Sequence, residues 1–127
     1  MGCDYRYAGS ATYPRFDREL CEIARVLGCE ETEHLKERRA TEDQRPAGYW
    51  FGFLSSDKPG NMLFRVPATL PESIAKWLND PYGDFSARET REIWNVVREH
   101  PEIRDISVQI WNELDQLCRY REGWHLS

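Results

Sequence analysis

The sequence lacks long apolar runs, has few lysines and carries no concentrated positive charge. No stretch approaches the roughly 18–20 apolar residues that a membrane-spanning helix needs, so we expect no membrane partner. Only three of the 17 cationic residues are lysine, and the arginines are scattered along the chain. Because nucleic-acid binding requires a patch or stripe of positive charge, we expect no nucleic-acid partner either. The net charge of −5 favours a partner with a basic surface.

Catalytic and cofactor-binding motifs are also absent. Neither phosphate-binding glycine motif occurs, and no G-x-S-x-G sequence presents a nucleophilic serine. The residues HLKER at 34–38 begin like the zinc-binding motif H-x-x-E-H, but Arg38 stands where the second histidine is required. The sequence therefore predicts no catalytic residue by motif, no metal ligand and no cofactor.

Cysteine is sparse, with four residues at positions 3, 21, 29 and 118. This density is well below that of a small secreted disulfide-bonded domain, and the N-terminal residues lack the basic and apolar stretches of a secretory signal. Met1-Gly2-Cys3 would suit a lipid anchor, but Arg6 stands where the acylation pattern requires Ser or Thr. We expect a cytoplasmic protein whose four thiols are reduced.

The sequence does contain enough apolar and aromatic residues for one core. Of its 127 residues, 40% are hydrophobic and 13% aromatic, and the length is typical of a single domain over 1–127. Residues 29–45 differ from the rest, because they hold ten charges and one large aliphatic residue, Leu35. We predict that this charged segment is either a surface helix or a mobile excursion.

Three segments have the pattern of strands. Residues 3–8 alternate between apolar and polar side chains, and a turn-rich connection follows from Gly9 to Pro14. The run YWFGFL at 49–54 is apolar throughout, and alternation resumes over 61–66 after a stretch rich in turn residues. These two segments predict a β-hairpin.

Four helices are predicted from apolar residues at helical spacing. They are a helix at 16–27 ended by Gly28, a short helix from a T-x-x-E capping box at 69–72 to about Asn79, a helix from a second capping box at 86–89 to His100-Pro101, and a final helix at 106–121, the longest, ended by Gly123. The order of elements does not alternate as it does in a parallel α/β protein. We predict an α+β fold, with a small antiparallel sheet of about three strands, including the 49–66 hairpin, and about four helices packed mainly on one face.

Candidate binding residues are acidic or aromatic residues in loops and near the end of the last helix. They are Asp80, Tyr82 and Asp84 in one loop, Tyr120, Trp124 and His125 near the C-terminus, and Glu33, Glu37 and Glu42 in the charged segment. Each has a structural alternative. The loop acids are common turn residues, and Trp124 and His125 either form an interface or fold back to cap the core.

These features favour a small acidic protein-binding module, for example an inhibitor or an immunity or anti-defence protein, that binds a basic macromolecular partner. One alternative is a small enzyme that uses the loop acids Asp80 and Asp84 with His100 in acid–base chemistry. A second alternative is a structural or oligomeric module without a ligand. Homo-oligomers are compatible with each.

Overall fold

The computed structural model describes residues 2–43 and 62–126. Within these ranges the helices are α1 Tyr13–Val26, α2 Glu33–Asp43, α3 Glu72–Asn79, α4 Ala87–Val97, α5 Glu102–Ile106 and α6 Val108–Arg119. The strands are β1 Gly2–Asp4, β2 Ser10–Thr12, β3 Glu30–Glu31 and β4 Phe64–Arg65. They pair antiparallel as β1 with β2 and β3 with β4. The α+β class is confirmed, although the described strands form two small sheets and not one sheet of three strands.

The N-terminal segment forms a tight hairpin, residues 2–12, where the sequence predicted one strand over 3–8 and then an irregular connection. Cys3 lies opposite Ala11 in the β1–β2 ladder. The chain reverses because Gly9 adopts a φ of +86° and its carbonyl accepts a hydrogen bond from the Tyr5 amide at 2.7 Å. The single-strand prediction is therefore wrong beyond Asp4.

Helix α1 begins three residues earlier than predicted and ends at Val26, one residue before the predicted end. Thr12 caps its start, since its hydroxyl accepts a hydrogen bond from the Arg15 amide at 3.3 Å. At its end Gly28 has a φ of +79°, and the Cys29 amide donates to the Ala24 carbonyl at 2.9 Å. This left-handed glycine cap was predicted from the sequence, and it is confirmed.

The charged segment is helical over α2, and Leu35 is its fully buried anchor. The helical alternative of the prediction therefore holds for Glu33–Asp43. The predicted strand at 49–54 lies outside the described residues. The segment 61–66 was predicted to pair with that strand, and its described strand residues are those of β4, Phe64–Arg65. Strand β4 pairs with β3, a contact that the sequence did not predict.

The two predicted capping boxes have different outcomes. Ser86 and Glu89 exchange hydrogen bonds at the start of α4, with distances of 3.1 and 3.0 Å, as predicted. The prediction of a capping box at 69–72 is wrong, because α3 begins only at Glu72. Pro71 is its extended N-terminal residue, and no side chain caps it.

The final helix predicted at 106–121 corresponds to α6, whereas Ile106 ends the short helix α5, which was not predicted. Ser107 breaks the chain with φ −147° and ψ 99°, and its hydroxyl then caps α6 by accepting a hydrogen bond from the Ile110 amide at 3.1 Å. As a result α6 has 12 residues, and α1, with 14, is the longer helix. The predicted stop at Gly123 is also displaced, since the residue with positive φ after α6 is Arg121, at 56°.

The core lies between α4, α6, α3 and α1, and its largest fully buried side chains include Trp77, Trp124 and Phe16. Trp94 packs edge-on against Trp111, joining α4 to α6 with ring centroids 4.9 Å apart. None of the helices in the two described ranges is long and apolar enough to cross a membrane. The four cysteines are all free thiols.

Candidate protein-binding site

The buried carboxylate of Glu113 holds the N-terminal hairpin on helix α6. Its two oxygens accept hydrogen bonds from the backbone amides of Arg6 and Tyr7, at 2.7 and 2.8 Å. The Glu113 side chain has no exposed surface. A buried carboxylate is tolerated only when its oxygens are paired, so these two bonds fix the hairpin turn in position.

Gln109, one turn earlier on α6, fixes the other side of the hairpin turn. Its amide nitrogen donates to the carbonyls of Ala8 and Ser10, at 3.0 and 2.9 Å. The residues between β1 and β2 are therefore bound to the helix through backbone groups. Within this turn the Tyr5 side chain is buried, whereas Arg6 and Tyr7 are exposed.

The C-terminal segment, residues 123–126, folds back along Phe85. The amides and carbonyls of Phe85 and Trp124 exchange hydrogen bonds at 3.0 and 2.9 Å. Gly123 is required for this approach, because a Cβ at that position would overlap the Phe85 carbonyl oxygen. The Trp124 ring packs on Trp77, with centroids 5.5 Å apart.

Between the hairpin and this segment lies a cavity of about 270 Å³, which we call the hairpin cavity. It is lined by Asp4, Tyr5, Arg6, Glu113, Leu117, Gly123 and His125. The lining includes two acidic residues, Asp4 and Glu113, and one permanent cation, Arg6. Tyr5 is 6% exposed, and its hydroxyl has no hydrogen-bond partner among the described residues. The lining therefore mixes polar with apolar surface and includes more acidic residues than permanent cations.

An exposed aromatic pair lies beside the hairpin cavity. The rings of Tyr7 and Tyr120 stack with centroids 5.6 Å apart, and the two side chains are 40% and 62% exposed. The Tyr7 hydroxyl donates a hydrogen bond to the Glu122 carboxylate, and this bond raises the pKa of Tyr7. Exposed tyrosines are typical contact residues of protein interfaces.

Asp84 and His125 contact each other at the edge of the cavity, through Oδ1 and Nδ1. Both side chains are largely exposed, at 83% and 67%. The sequence predicted that both residues bind a partner, and the structure places them together. His125 lines the hairpin cavity, so this pair is continuous with it.

The other two residues of the predicted loop lie differently. The Tyr82 hydroxyl donates to the buried carboxylate of Asp17, and its ring packs on Phe16 with centroids 5.5 Å apart. Burial, followed by the charge of Asp17, raises the pKa of Tyr82. The Tyr82 side chain therefore contributes to packing in the interior. Asp80 is exposed and accepts the Gly83 amide through its carbonyl at 3.1 Å, so it has the turn role of the structural alternative.

The candidate residues near the C-terminus also differ in exposure, since Tyr120 is exposed and Trp124 is buried. Tyr120 is the most exposed large apolar side chain among the described residues. Trp124 is 2% exposed, so its ring offers almost no surface to a partner in this structure. It caps the core, as the alternative prediction had it, because its ring is enclosed between Trp77 and Phe85.

The predicted contacts of the charged segment lie on α2 and do not line the hairpin cavity. Glu33 pairs with Lys36 at 3.3 Å, one helical turn along. Glu37 is exposed, and Glu42 belongs to the last turn of the helix. The structure does not bring this group together with Asp84, Tyr120 and His125 in one site.

The sequence missed Asp4, Arg6, Tyr7, Glu113 and Glu122 as site residues. The alternation at 3–8 placed Asp4 and Arg6 on a polar face, and both residues are exposed, although only Asp4 lies in a strand. The contact of Glu113 with Arg6 spans 107 residues of sequence. No local pattern encodes such a contact.

The acid–base residues of the enzyme alternative contact other side chains in the described structure. His100 pairs with Glu102 at 3.6 Å, whereas Asp84 pairs with His125. A second cavity, of about 320 Å³, contains Cys21 and Cys29. Burial raises the pKa of the Cys21 thiol to about 11, despite a guanidinium nitrogen of Arg39 at 3.2 Å. A thiol in that state is a poor nucleophile at neutral pH.

Within residues 2–43 and 62–126, no group of three or more His, Cys, Asp or Glu side chains could hold a metal ion. Comparisons with protein-family models, with curated proteins and with solved structures give no match to this chain.

Proposed function

We propose that this chain is a protein-binding module that docks a basic segment of a partner protein at the hairpin cavity and the Tyr7–Tyr120 pair. The observation that carries the proposal is the position of an acidic cavity directly beside two stacked, exposed tyrosines. The cavity accepts a positively charged side chain, and the tyrosines supply apolar area at low cost in side-chain entropy.

The charge of the molecule supports a basic partner. Residues 71–127, which include most of this surface, carry seven positive and eleven negative charges. Complementary charge accelerates the encounter with a basic partner, and this field is screened over about 8–10 Å at physiological ionic strength. Association is therefore expected to slow as salt rises. An inhibitor that covers a basic surface of its target would bind in this way.

Site-specific photocrosslinking tests the proposal. A photoreactive phenylalanine is placed at Tyr120, and in a control protein at Glu99, an exposed acid just beyond α4 that does not line the cavity. Both proteins are irradiated in an extract of the native host. We expect one protein to cross-link from position 120 and not from position 99.

The recombinant partner is then titrated with purified variants. Tyr120→Ala should weaken binding by about 10- to 30-fold, because exposed tyrosines at interface centres are often hot spots. Asp4→Asn should weaken it by about 2- to 5-fold, chiefly through the association rate. Glu99→Gln should leave it unchanged. Equal affinities for all three variants and the original protein would reject the proposed surface.

A further inference from the structure

The Tyr7–Tyr120 surface already holds an arginine of its own chain. The guanidinium of Arg6 lies 5.7 Å from the centroid of the Tyr7 ring, and its Nη1 is 2.6 Å from Oε2 of Glu122. The planar guanidinium of Arg6 thus lies over an aromatic ring and also forms an ion pair with one carboxylate. Arginine suits this combination better than lysine does, because its planar guanidinium both stacks on rings and pairs with carboxylates.

The groups around this guanidinium are fixed in place. The Tyr7 backbone is bound by Glu113, and its hydroxyl is bound by the second oxygen of Glu122. The Glu122 amide in turn donates to the Leu117 carbonyl at 2.8 Å, in the turn that ends α6. The Glu122 side chain is 21% exposed. The ring and the carboxylate therefore form a preorganised receptor.

The Arg6 side chain itself is loosely held. It is 64% exposed, and its described partners are the exposed ring of Tyr7 and the single carboxylate of Glu122. An exposed ion pair of this kind is weak, since water and salt compete for both charges. Arg6 can rotate away while its backbone stays bound to Glu113. Its departure would leave the carboxylate and the ring open.

We infer that Arg6 is an internal competitor, which occupies the position that an arginine side chain of the partner takes on binding. This inference rests on the proposed function and deepens it, because it names arginine as the recognised residue and Arg6 as a regulator of access. Removal of Arg6 is then expected to strengthen binding, although it deletes a polar side chain from the surface.

Model peptides test this without the partner. The probes are two acetylated, amidated hexapeptides, one alternating arginine with glycine and one alternating lysine with glycine. Binding is followed by the NMR shifts of the Tyr7 and Tyr120 ring protons. We expect the arginine peptide to bind more tightly than the lysine peptide. If Arg6 occupies the receptor for about 70–90% of the time, Arg6→Ala should raise the affinity for the arginine peptide by about 3- to 10-fold. This factor is the inverse of the fraction of time for which the receptor is unoccupied.

A change in net charge could produce a similar effect, so a matched control is needed. Arg104→Ala removes the same charge from an exposed residue of α5 that does not line the cavity, and it should leave the affinity unchanged. Equal tightening by Arg104→Ala, or no tightening by Arg6→Ala, would overturn the inference. If neither peptide binds but Tyr120→Ala still weakens the cross-linked partner, the arginine inference fails and the proposed function stands. If Tyr120→Ala and Asp4→Asn leave that partner's affinity unchanged, the proposed function fails.

Discussion

The substitution Glu113→Gln tests the contact that assembles the candidate site. The change is isosteric, but only one of the two side-chain groups can still accept a hydrogen bond. The remaining oxygen still accepts a hydrogen bond from one of the two backbone amides, Arg6 or Tyr7. The new NH₂ group is a donor that faces the other amide, which is also a donor, so no hydrogen bond can form there. The variant therefore removes one of the two hydrogen bonds outright and weakens the other.

The expected cost follows from the contributions of these bonds. A hydrogen bond to a charged acceptor contributes about 1.5–3 kcal/mol, and a neutral one about 0.5–1.5 kcal/mol. Burying a neutral amide is less costly than burying a carboxylate, which offsets part of the loss. We expect the free energy of unfolding to fall by roughly 2–4 kcal/mol.

Urea unfolding followed by tryptophan fluorescence measures this change, and hydrogen exchange locates it. The amides of Arg6 and Tyr7 should lose protection in Glu113→Gln beyond the loss caused by global destabilisation. The control Glu99→Gln changes an exposed acid and should stay within about 0.5 kcal/mol of the original protein. A Glu113→Gln protein as stable as that control, with both amides still protected, would refute the assigned role of the carboxylate.

Three further predictions concern the core, a helix cap and the thiols. Leu114→Ala should lower the free energy of unfolding by roughly 2–5 kcal/mol, since this side chain is fully buried; a change within experimental scatter would place α6 outside the core. Ser86→Ala should cost about 1 kcal/mol in the same urea assay through loss of the confirmed cap, and a neutral result would contradict the capping box. Burial raises the pKa of Cys3 and Cys29 to about 11, so at pH 8 iodoacetamide should alkylate them about 100-fold more slowly in the folded protein than in the urea-unfolded chain. Equal rates would show that the thiols are accessible, and fewer than four reactive thiols in the unfolded chain would contradict the free cysteines.

The features that could be predicted from the sequence are those encoded within a few residues. Gly28 ends α1 through its own positive φ, which depends on that residue alone. Ser86 and Glu89, three residues apart, form the capping box of α4. The break at Ser107 was missed, because Ile106 has the right spacing to begin the apolar stripe that continues at Ile110. Its signal was present, since serine is a good N-terminal cap.

The candidate site could be predicted only in part. Asp84, Tyr120 and His125 were identified by residue type, because exposed acids and aromatics near turns are typical contact residues. Trp124 has the same residue type, yet it is buried, because Gly123 allows its backbone to pair with Phe85. That distinction depends on a contact between distant segments, so composition and periodicity cannot make it.

The contact between Glu113 and the hairpin turn also constrains how the molecule folds. It joins residues 107 positions apart. Closing a flexible loop of that length costs about 4 kcal/mol in chain entropy, which is comparable to the net gain from the two hydrogen bonds. The contact therefore cannot form early, when the intervening chain is still unfolded. The helices between must first shorten the effective loop, so docking of the N-terminal hairpin on α6 is expected to be a late folding step. Partly folded chains would then lack the hairpin cavity, and only molecules that have completed folding would be competent to bind.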